Sequence, residues 1–368
     1  MRRLSILGVA VLFGLVGCTG SESTPTGTTS SKPLHTVEVA DYSAISGAPR
    51  WHLQIPGECG RVVGVGDDFL GIWTNRLTVV DRRTGQVRWR DRLVAKGWST
   101  PSRVPLGTIR RDGPVPAGPT IVVGHAGIIQ GRDPSTGRVR WRQRVDPGSL
   151  VSAGPTIVVA AQVDPMGLTT SSATAWDRAT GRQHWSHQIP KVASGTTVTA
   201  RALVVVEAGS SLVRGLDIET GTPRWQATMP IGGDHSIAAA DGIVIIEGLS
   251  GVEAYDDRSG SKLWTSPGND QFQLQPGTGL ASVWHGDGPV RVVDLRTGAT
   301  QIELADGRSF VFPVSTNRMV LQGAGYSGTD ARGRVHWKIP APDGFYKRET
   351  MQVIGNDMVT MSDRCDPG

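Results

Sequence analysis

Apolar positions along this chain fall in short runs rather than long stripes. Ile157–Ala161, Leu203–Val206, Ile243–Ile246 and Met319–Leu321 are uninterrupted apolar segments bounded by polar or turn-forming residues. Runs of that length suit strands buried on both faces. Other segments alternate. In Val87-Arg88-Trp89-Arg90, strand periodicity puts Val87 and Trp89 on one face and the two arginines on the other. The two kinds of segment recur in a fixed order: apolar inner strands, a third strand such as Leu77–Val80, a tight turn, then an alternating outer strand. Each recurrence therefore supplies about four strands.

The turn carries the clearest signature. Asp, two residues, Thr or Ser, Gly, three residues, Trp appears at Asp81–Trp89, Asp133–Trp141, Asp177–Trp185, Asp217–Trp225 and Asp256–Trp264. A sixth copy at Asp294–Gly298 has Ile302 in the tryptophan place. The seventh, Asp330 to Gly333 with Trp337, is one residue short, and a degenerate copy (Ser43, Ser46, Gly47, Trp51) precedes them all. The Asp carboxylate can accept hydrogen bonds from turn amides, and the Gly tolerates the positive φ that closes a short hairpin. Ala117–Val123 is also repeated letter for letter at Ala153–Val159, a second trace of duplication.

Turn chemistry recurring about every 40 residues predicts a propeller or solenoid. At four strands per repeat each unit is one propeller blade. The first motif, ending at Trp51, has no apolar inner strands ahead of it. The chain ends with two inner-type strands, Met351–Ile354 and Met358–Met361, that no motif follows. The halves complement each other. The expected fold is all-β: an eight-bladed β-propeller closed by N-terminal outer strands and C-terminal inner strands, which leaves no free edge. Trp51, Trp89, Trp141, Trp185, Trp225, Trp264 and Trp337 are expected to dock neighbouring blades, each burying roughly 200 Å². The paired arginines beside them are expected to guard the exposed outer strands against edge pairing.

The Asp-x-x-Thr-Gly-x-x-x-Trp repeat resembles that of PQQ-type (pyrroloquinoline quinone) β-propellers over roughly residues 40 to 365. The Trp-Asp strand ends of WD40 blades and the paired glycines of kelch blades do not recur here.

Composition agrees with this fold. Gly (48) and Pro (23) approach a fifth of the chain, while charged residues make up 19% and aromatics 6%, as suits many short strands and tight turns. The net charge of +5 falls to +3 if Arg2 and Arg3 are removed. Spread over a large surface, that value points to neither nucleic acid nor a polybasic membrane patch.

The N-terminus sets the compartment. Arg2 and Arg3 precede the apolar run Ile6–Val16, too short to span a bilayer but suited to a signal-peptide core. Leu15-Val16-Gly17-Cys18 resembles a bacterial lipobox, which implies that Cys18 is acylated (palmitate among its lipids) and becomes the first mature residue. Residues 1–17 are thus expected to be a lipoprotein signal peptide, 18–35 a flexible Ser/Thr/Gly/Pro tether and 36–368 the propeller. With Cys18 lipidated, Cys59 and Cys365 remain. Cys59 lies just before the first inner strand of the first blade, and Cys365 just after the last inner strand of the closing blade. A disulfide between them is expected in an exported chain. Two free thiols are the alternative.

Candidate chemistry is sparse. His184 and His187 point to opposite faces of one predicted strand, and His235 and His285 sit in expected loops, so no metal site is expected. Gly-x-Ser-x-Gly, His-Glu-x-x-His and phosphate-binding loops do not occur. PQQ-dependent dehydrogenases share the repeat type, but they are much longer, carry adjacent cysteines beside the quinone, and hold calcium with acidic and amide residues. This chain has no adjacent cysteines, and no cofactor is expected. Lys96–Pro116 accounts for the widest spacing between motifs. Its Trp98, Arg103, Arg110 and Arg111 make it a candidate partner-contact loop, with a tolerated insertion as the alternative.

The chain also resembles the BamB-like lipoproteins, eight-bladed PQQ-type propellers anchored by an acylated cysteine that bind partners in outer-membrane protein assembly. That resemblance implies a monomeric, non-catalytic extracytoplasmic scaffold for protein partners. It would be lipid-anchored to the cell membrane, or to an outer membrane if the host has one. A quinoprotein oxidoreductase and a ligand-sensing or carbohydrate-binding propeller are the alternatives.

Overall fold

The computed structural model describes residues 36–362 apart from 57–60, 66–67, 75, 92–119, 126, 146–149, 155, 162–170, 190–191, 208–209, 230–235, 249–250, 269, 287, 305–309, 324, 341–348 and 355. Every regular element in that range is a β-strand, and the strands form eight antiparallel sheets.

Blade one contains β3 (Arg61–Val65), β4 (Phe69–Trp73), β5 (Leu77–Asp81) and β6 (Val87–Asp91). Blade two shows three strands among the described residues: β7 (Ile121–His125), β8 (Ile128–Arg132) and β9 (Val139–Arg144). Blade three is β10 (Leu150–Ala153), β11 (Ile157–Ala161), β12 (Ser171–Asp177) and β13 (Gln183–Ile189). Blade four is β14 (Val192–Val198), β15 (Ala202–Glu207), β16 (Leu212–Asp217) and β17 (Pro223–Thr228). Blade five runs through β18 (Ser236–Ala240), β19 (Ile243–Gly248), β20 (Gly251–Asp256) and β21 (Lys262–Pro267). Blade six has β22 (Gln271–Gln275), β23 (Leu280–Trp284), β24 (Val290–Asp294) and β25 (Thr300–Leu304). Blade seven comprises β26 (Phe310–Ser315), β27 (Arg318–Gln322), β28 (Gly325–Asp330) and β29 (Val335–Pro340).

Blade eight is composite. Its order is β2-β1-β31-β30, with β1 (Thr36–Ser43) and β2 (Pro49–Pro56) from the N-terminal side and β30 (Glu349–Ile354) and β31 (Asp357–Ser362) from the C-terminal side. The joint is the β1–β31 ladder, from Glu38↔Ser362 to Ser43↔Asp357. The closure expected from the two incomplete halves is the one observed.

The core lies between blades rather than in one central mass. Ile157, Val159 and Ala161 pack with Leu203 and Val205 of blade four, whereas Val158 and Ala160 pack with Ile129 and Trp141 of blade two. One strand therefore serves two interfaces, so its apolar run has no polar alternation to show. Equivalent layers join every other pair of neighbouring blades, including Val39 and Met361 of blade eight against Leu70 and Ile72 of blade one. The ring is closed by the same hydrophobic packing that builds it.

The outer strands depart from simple alternation. In each blade a β-bulge falls one residue before the tryptophan position: Val79 pairs with Trp89 but Val80 with Val87, so Arg88 is left out of the ladder. The same step occurs at Arg50, Arg140, His184, Arg224, Leu263, Gln301 and His336. A bulge bends and re-aims the strand. Accordingly, Val87 is exposed rather than packed beside Trp89, which corrects the face expected for it.

Candidate functional site

Each motif builds a turn that the preceding blade covers. At Asp81, the backbone carbonyl accepts from Gly85 N at 2.9 Å, and one carboxylate oxygen accepts from the amides of Arg83 and Thr84 at 3.0 Å. The other oxygen takes the bulged Arg88 at 2.6 Å. The Asp133–Arg140 pair repeats this at 2.5 Å, and together with the Ser135 hydroxyl it holds the Asp133 carboxyl below the usual carboxylate range. These motif-adjacent arginines therefore clamp turns, a role beyond guarding strand edges. In the shortened seventh copy the Asp330 carboxylate takes the Arg334 amide instead, and Gly333 N still reaches Asp330 O.

The tryptophan of each blade docks on the next blade's turn. Trp51, Trp89, Trp141, Trp185, Trp225 and Trp264 donate from Nε1 to the carbonyls of Arg82, Pro134, Arg178, Ile218, Asp257 and Leu295, at 2.7–2.9 Å. Trp337 bridges blade seven to blade eight through Ile45 O at 3.1 Å. The indole also roofs the turn glycine: a Cβ on Gly260 would come within 2.5 Å of the Trp225 ring. Blade six has Ile302 instead, and the turn glycine of the following blade, Gly333, has nothing within 4 Å of a notional Cβ.

The hairpins between first and second and between third and fourth strands gather on one end of the blades. On that face a cleft of about 470 Å³ lies across blades four to six, lined by Arg201, Asp241, Gly242, Asp256, Asp257, Arg258 and Arg296. Buried Asp257 holds Arg201 at 3.2 Å, and Asp256 holds Arg296 at 3.4 Å. Asp241, at φ 53°, accepts from the amides of Gly277 and Gly279 at 3.0–3.1 Å. Arg258 is exposed and has no ion-pair partner among the described residues. Burial pushes the Asp256 carboxyl up, but hydrogen bonds from Ser259, Arg258 and Arg296 outweigh it and leave the group below its ordinary range. It stays ionised near neutrality. The cleft is built for charge-assisted hydrogen bonding, not for proton transfer.

The seam of the ring holds a second polar cluster. Asp357 of β31 pairs with Arg50 of β2 and with Arg82 of blade one, the latter at 2.7 Å. Arg82 also donates to Ile354 O. Beside them Asp41 of β1 is 0% exposed, and neither carboxylate oxygen has a well-formed hydrogen bond. Burial, then the neighbouring Asp357 charge, raise its pKa to about 7 against the pull of Arg50, Arg82 and the Tyr42 amide.

The residues singled out in the sequence are placed unequally. The seven tryptophans occupy the blade junctions just described. His187 stacks on Trp185 with ring centroids 5.6 Å apart, while His184 lies 3.6 Å from Glu219. His285 lies 3.5 Å from Asp270, itself paired with Arg291. Cys18, Cys59, Cys365, His235 and the loop residues Trp98, Arg103, Arg110 and Arg111 lie outside the described residues. Sequence reading missed the hairpin-face cleft and Asp41. The cleft brings residues of two blade-five turns together with Arg201 of blade four and Arg296 of blade six, and Asp41 lies in the one motif copy too degenerate to anchor a register.

The family model described as "Outer membrane protein assembly factor BamB" matches residues 35–163 and 125–320. No curated protein sequence matches the chain. Among solved structures, BamB from Moraxella catarrhalis aligns with a TM-score of 0.50 and 17% identity, over 87% of this chain and 90% of that one. The computationally designed Ika8 protein aligns with a TM-score of 0.56 and 16% identity, over 86% and 99%. The quinohemoprotein alcohol dehydrogenase ADHIIG from Pseudomonas putida HK5 aligns with a TM-score of 0.51 and 12% identity, over 89% and 72%. At these identities the structural likenesses speak to fold alone.

Proposed function

Because the chain belongs to the family described as outer membrane protein assembly factor BamB, we propose that it is a non-catalytic cell-envelope scaffold whose propeller binds protein partners. The observation that carries this reading is the family match, which spans most of the propeller. Cys18 is its proposed lipid anchor and residues 18–35 its tether, as the lipobox-like Leu15–Cys18 indicates. The hairpin-face cleft is the proposed contact. Its ion pairs are partly exposed, with Arg201 at 51% and Arg296 at 59%, so a partner's charged side chains can exchange into them. Trp98, Arg103, Arg110 and Arg111 form a second proposed contact.

A photo-crosslinking residue at position 258 or 111 of the full-length protein, in intact cells, tests the contacts. Discrete envelope-protein adducts are expected from both positions and not from a control at 338, and Arg201→Glu with Arg296→Glu should abolish those formed at 258. Absence of adducts at 258 and 111, or calcium-dependent dye reduction by the protein supplied with quinone, would overturn the reading. Labelling with an alkyne fatty acid should mark the wild type and not Cys18→Ala. A Cys18→Ala chain that stays in the membrane refutes the anchor.

A further inference from the structure

The charge on the propeller's rim is not evenly spread. On each outer strand the side chains one residue before, one after and three after the tryptophan position can be compared directly, because every blade shares the same bulge and register. Blade two presents Arg140, Arg142 and Arg144 there, and blade one presents Arg88 and Arg90. Blade eight presents Arg50, His52 and Gln54, whereas blade five has Leu263, Thr265 and Pro267 and blade six has Gln301 and Glu303. Blade four has one arginine there, Arg224, and blade seven one lysine, Lys338, so the arginines crowd one arc of the rim, blades one and two, with Arg50 alongside in blade eight.

That arc is positive at its surface. Arg90, Arg142 and Arg144 are exposed, with no ion-pair partner among the described residues. The carboxylates nearby sit behind the cations: Asp81 and Asp133 are 17% and 21% exposed and bound to their turns, against 44% and 37% for Arg88 and Arg140. Asp91, 23% exposed, is held by Arg132 at 2.7 Å. Glu38, near His52, is an exposed acid on the blade-eight side of the arc. A formal charge near +3 averaged over the whole surface conceals this concentration.

The chain also enters the fold beside this arc. Thr36 opens β1 and pairs with Pro56 at the end of β2, in blade eight. On the reading that Cys18 is the lipid anchor, on which this inference rests, a Ser/Thr/Gly/Pro-rich linker of the length of residues 18–35 would reach about 25 Å if it behaved as a random coil. Such a linker would join the propeller at blade eight, beside this arc and across the ring from blades four and five. Guanidinium groups bind phosphate oxygens through paired, charge-assisted hydrogen bonds. We propose that the arginine-rich rim of blades one and two, through Arg90, Arg142 and Arg144, docks the propeller on the anionic headgroups of the membrane to which it is tethered. The propeller would then stand edge-on, with its hairpin face directed along the membrane rather than away from it.

The test uses the mature chain, residues 18–368, carrying Cys18→Ser so that no lipid contributes. It should co-sediment with vesicles of phosphatidylcholine and phosphatidylglycerol at 7:3 and far less with phosphatidylcholine alone. Raising NaCl from about 0.05 to about 0.5 M should abolish binding, because exposed charges are screened within a few ångströms at high salt. The Arg90→Gln, Arg142→Gln, Arg144→Gln triple variant should lower the partition coefficient about 100-fold. A control with the same charge change on blade seven, Arg332→Gln, Arg334→Gln and Lys338→Gln, should lower it less than about threefold. Equal losses in both triples, or no preference for anionic vesicles, overturn the proposal. Retention by immobilised poly-glutamate without vesicle binding overturns it in favour of an acidic protein. Because the assay needs no acyl chain, failure of fatty-acid labelling at Cys18 would remove the anchor and leave this result to stand or fall separately.

Discussion

Replacing Asp41 by Asn should make the protein more stable at pH 8. In the folded chain the Asp41 carboxyl is fully buried beside Asp357, and its pKa is raised from 3.8 to about 7. Below about pH 3.8 it is protonated folded or unfolded and contributes no pH dependence. Between 3.8 and about 7 the unfolded chain releases the proton and the folded chain retains it, so stability falls as pH rises. Above about 7 the loss is complete, at about 4 kcal/mol as an upper figure, from 1.36 kcal/mol per pKa unit. Asn keeps the shape and discards the charge. The gain from Asp41→Asn should therefore be near zero at pH 4 and grow to at most about 4 kcal/mol at pH 8. At roughly 2 °C per kcal/mol for a large domain, the melting temperature would rise by about 8 °C at most. Thermal unfolding followed by tryptophan fluorescence from pH 4 to 8, compared as the difference between variant and wild type, isolates this group from other titrations. A variant less stable than wild type at pH 8, or a difference that does not change with pH, would refute the reasoning. The motif aspartates run the opposite way. Asp81, Asp133, Asp256 and Asp294 are held below their ordinary range, so the stability they contribute is present above pH 3.8 and lost as pH falls.

Two further outcomes follow from the ring. Gly260→Ala combines φ +69° with a Cβ 2.5 Å from the Trp225 ring and should cost about 3–4 kcal/mol. Gly333→Ala, at φ +76° with open space around it, should cost only about 1–2 kcal/mol; equal losses of melting temperature would show that tryptophan roofing is unimportant. Non-reducing peptide mapping of the exported protein should yield one linked pair, Cys59 with Cys365, and reduction should cost up to about 5 kcal/mol for so long a loop. The observation behind this is that β2 and β31 flank β1 and run the same way, ending at Pro56 and Ser362. Two free thiols would end the idea.

The architecture was legible because the repeat exposes it. Turn, tryptophan and inner strand recur together, so the register of one blade predicts the next. Even the composite eighth blade could be read, since Trp51 lacked inner strands and Met351–Met361 lacked a motif. What escaped was whatever breaks or crosses that register. The bulge before each tryptophan adds one residue to a strand without altering the spacing between motifs, so Val87 was assigned to the wrong face. The hairpin-face cleft draws Arg201, Asp256 and Arg296 from different blades, each at a position that looks like ordinary turn chemistry in its own repeat. Asp41 has no aspartate counterpart opposite the outer-strand tryptophan in any other blade: Val79, Gly131, Ala175, Gly215, Ala254 and Gly328 stand there instead.

That last contrast bears on how the ring holds together. Seven blades are each built from strands consecutive in sequence, and in them small or apolar residues suffice opposite the outer-strand position. The eighth blade must bring the two ends of the chain together, and there the fold places two carboxylates and two guanidiniums within one sheet and its neighbour. A buried ionic cluster is a weak source of net stability, yet removing one partner is costly because the others are left uncompensated. The cluster therefore favours the correct register of β1 against β31 over slipped alternatives more than it deepens the native minimum. Asp41 opposes stability near neutral pH while Asp357, Arg50 and Arg82 define the joint, so Arg82→Leu should weaken closure far more than Asp41→Asn strengthens it. Hydrogen exchange would register this as early opening of β1 and β31 while blades three to six stay protected. Uniform loss of protection around the ring would mean that the seam is no weaker, and no more specific, than any other junction.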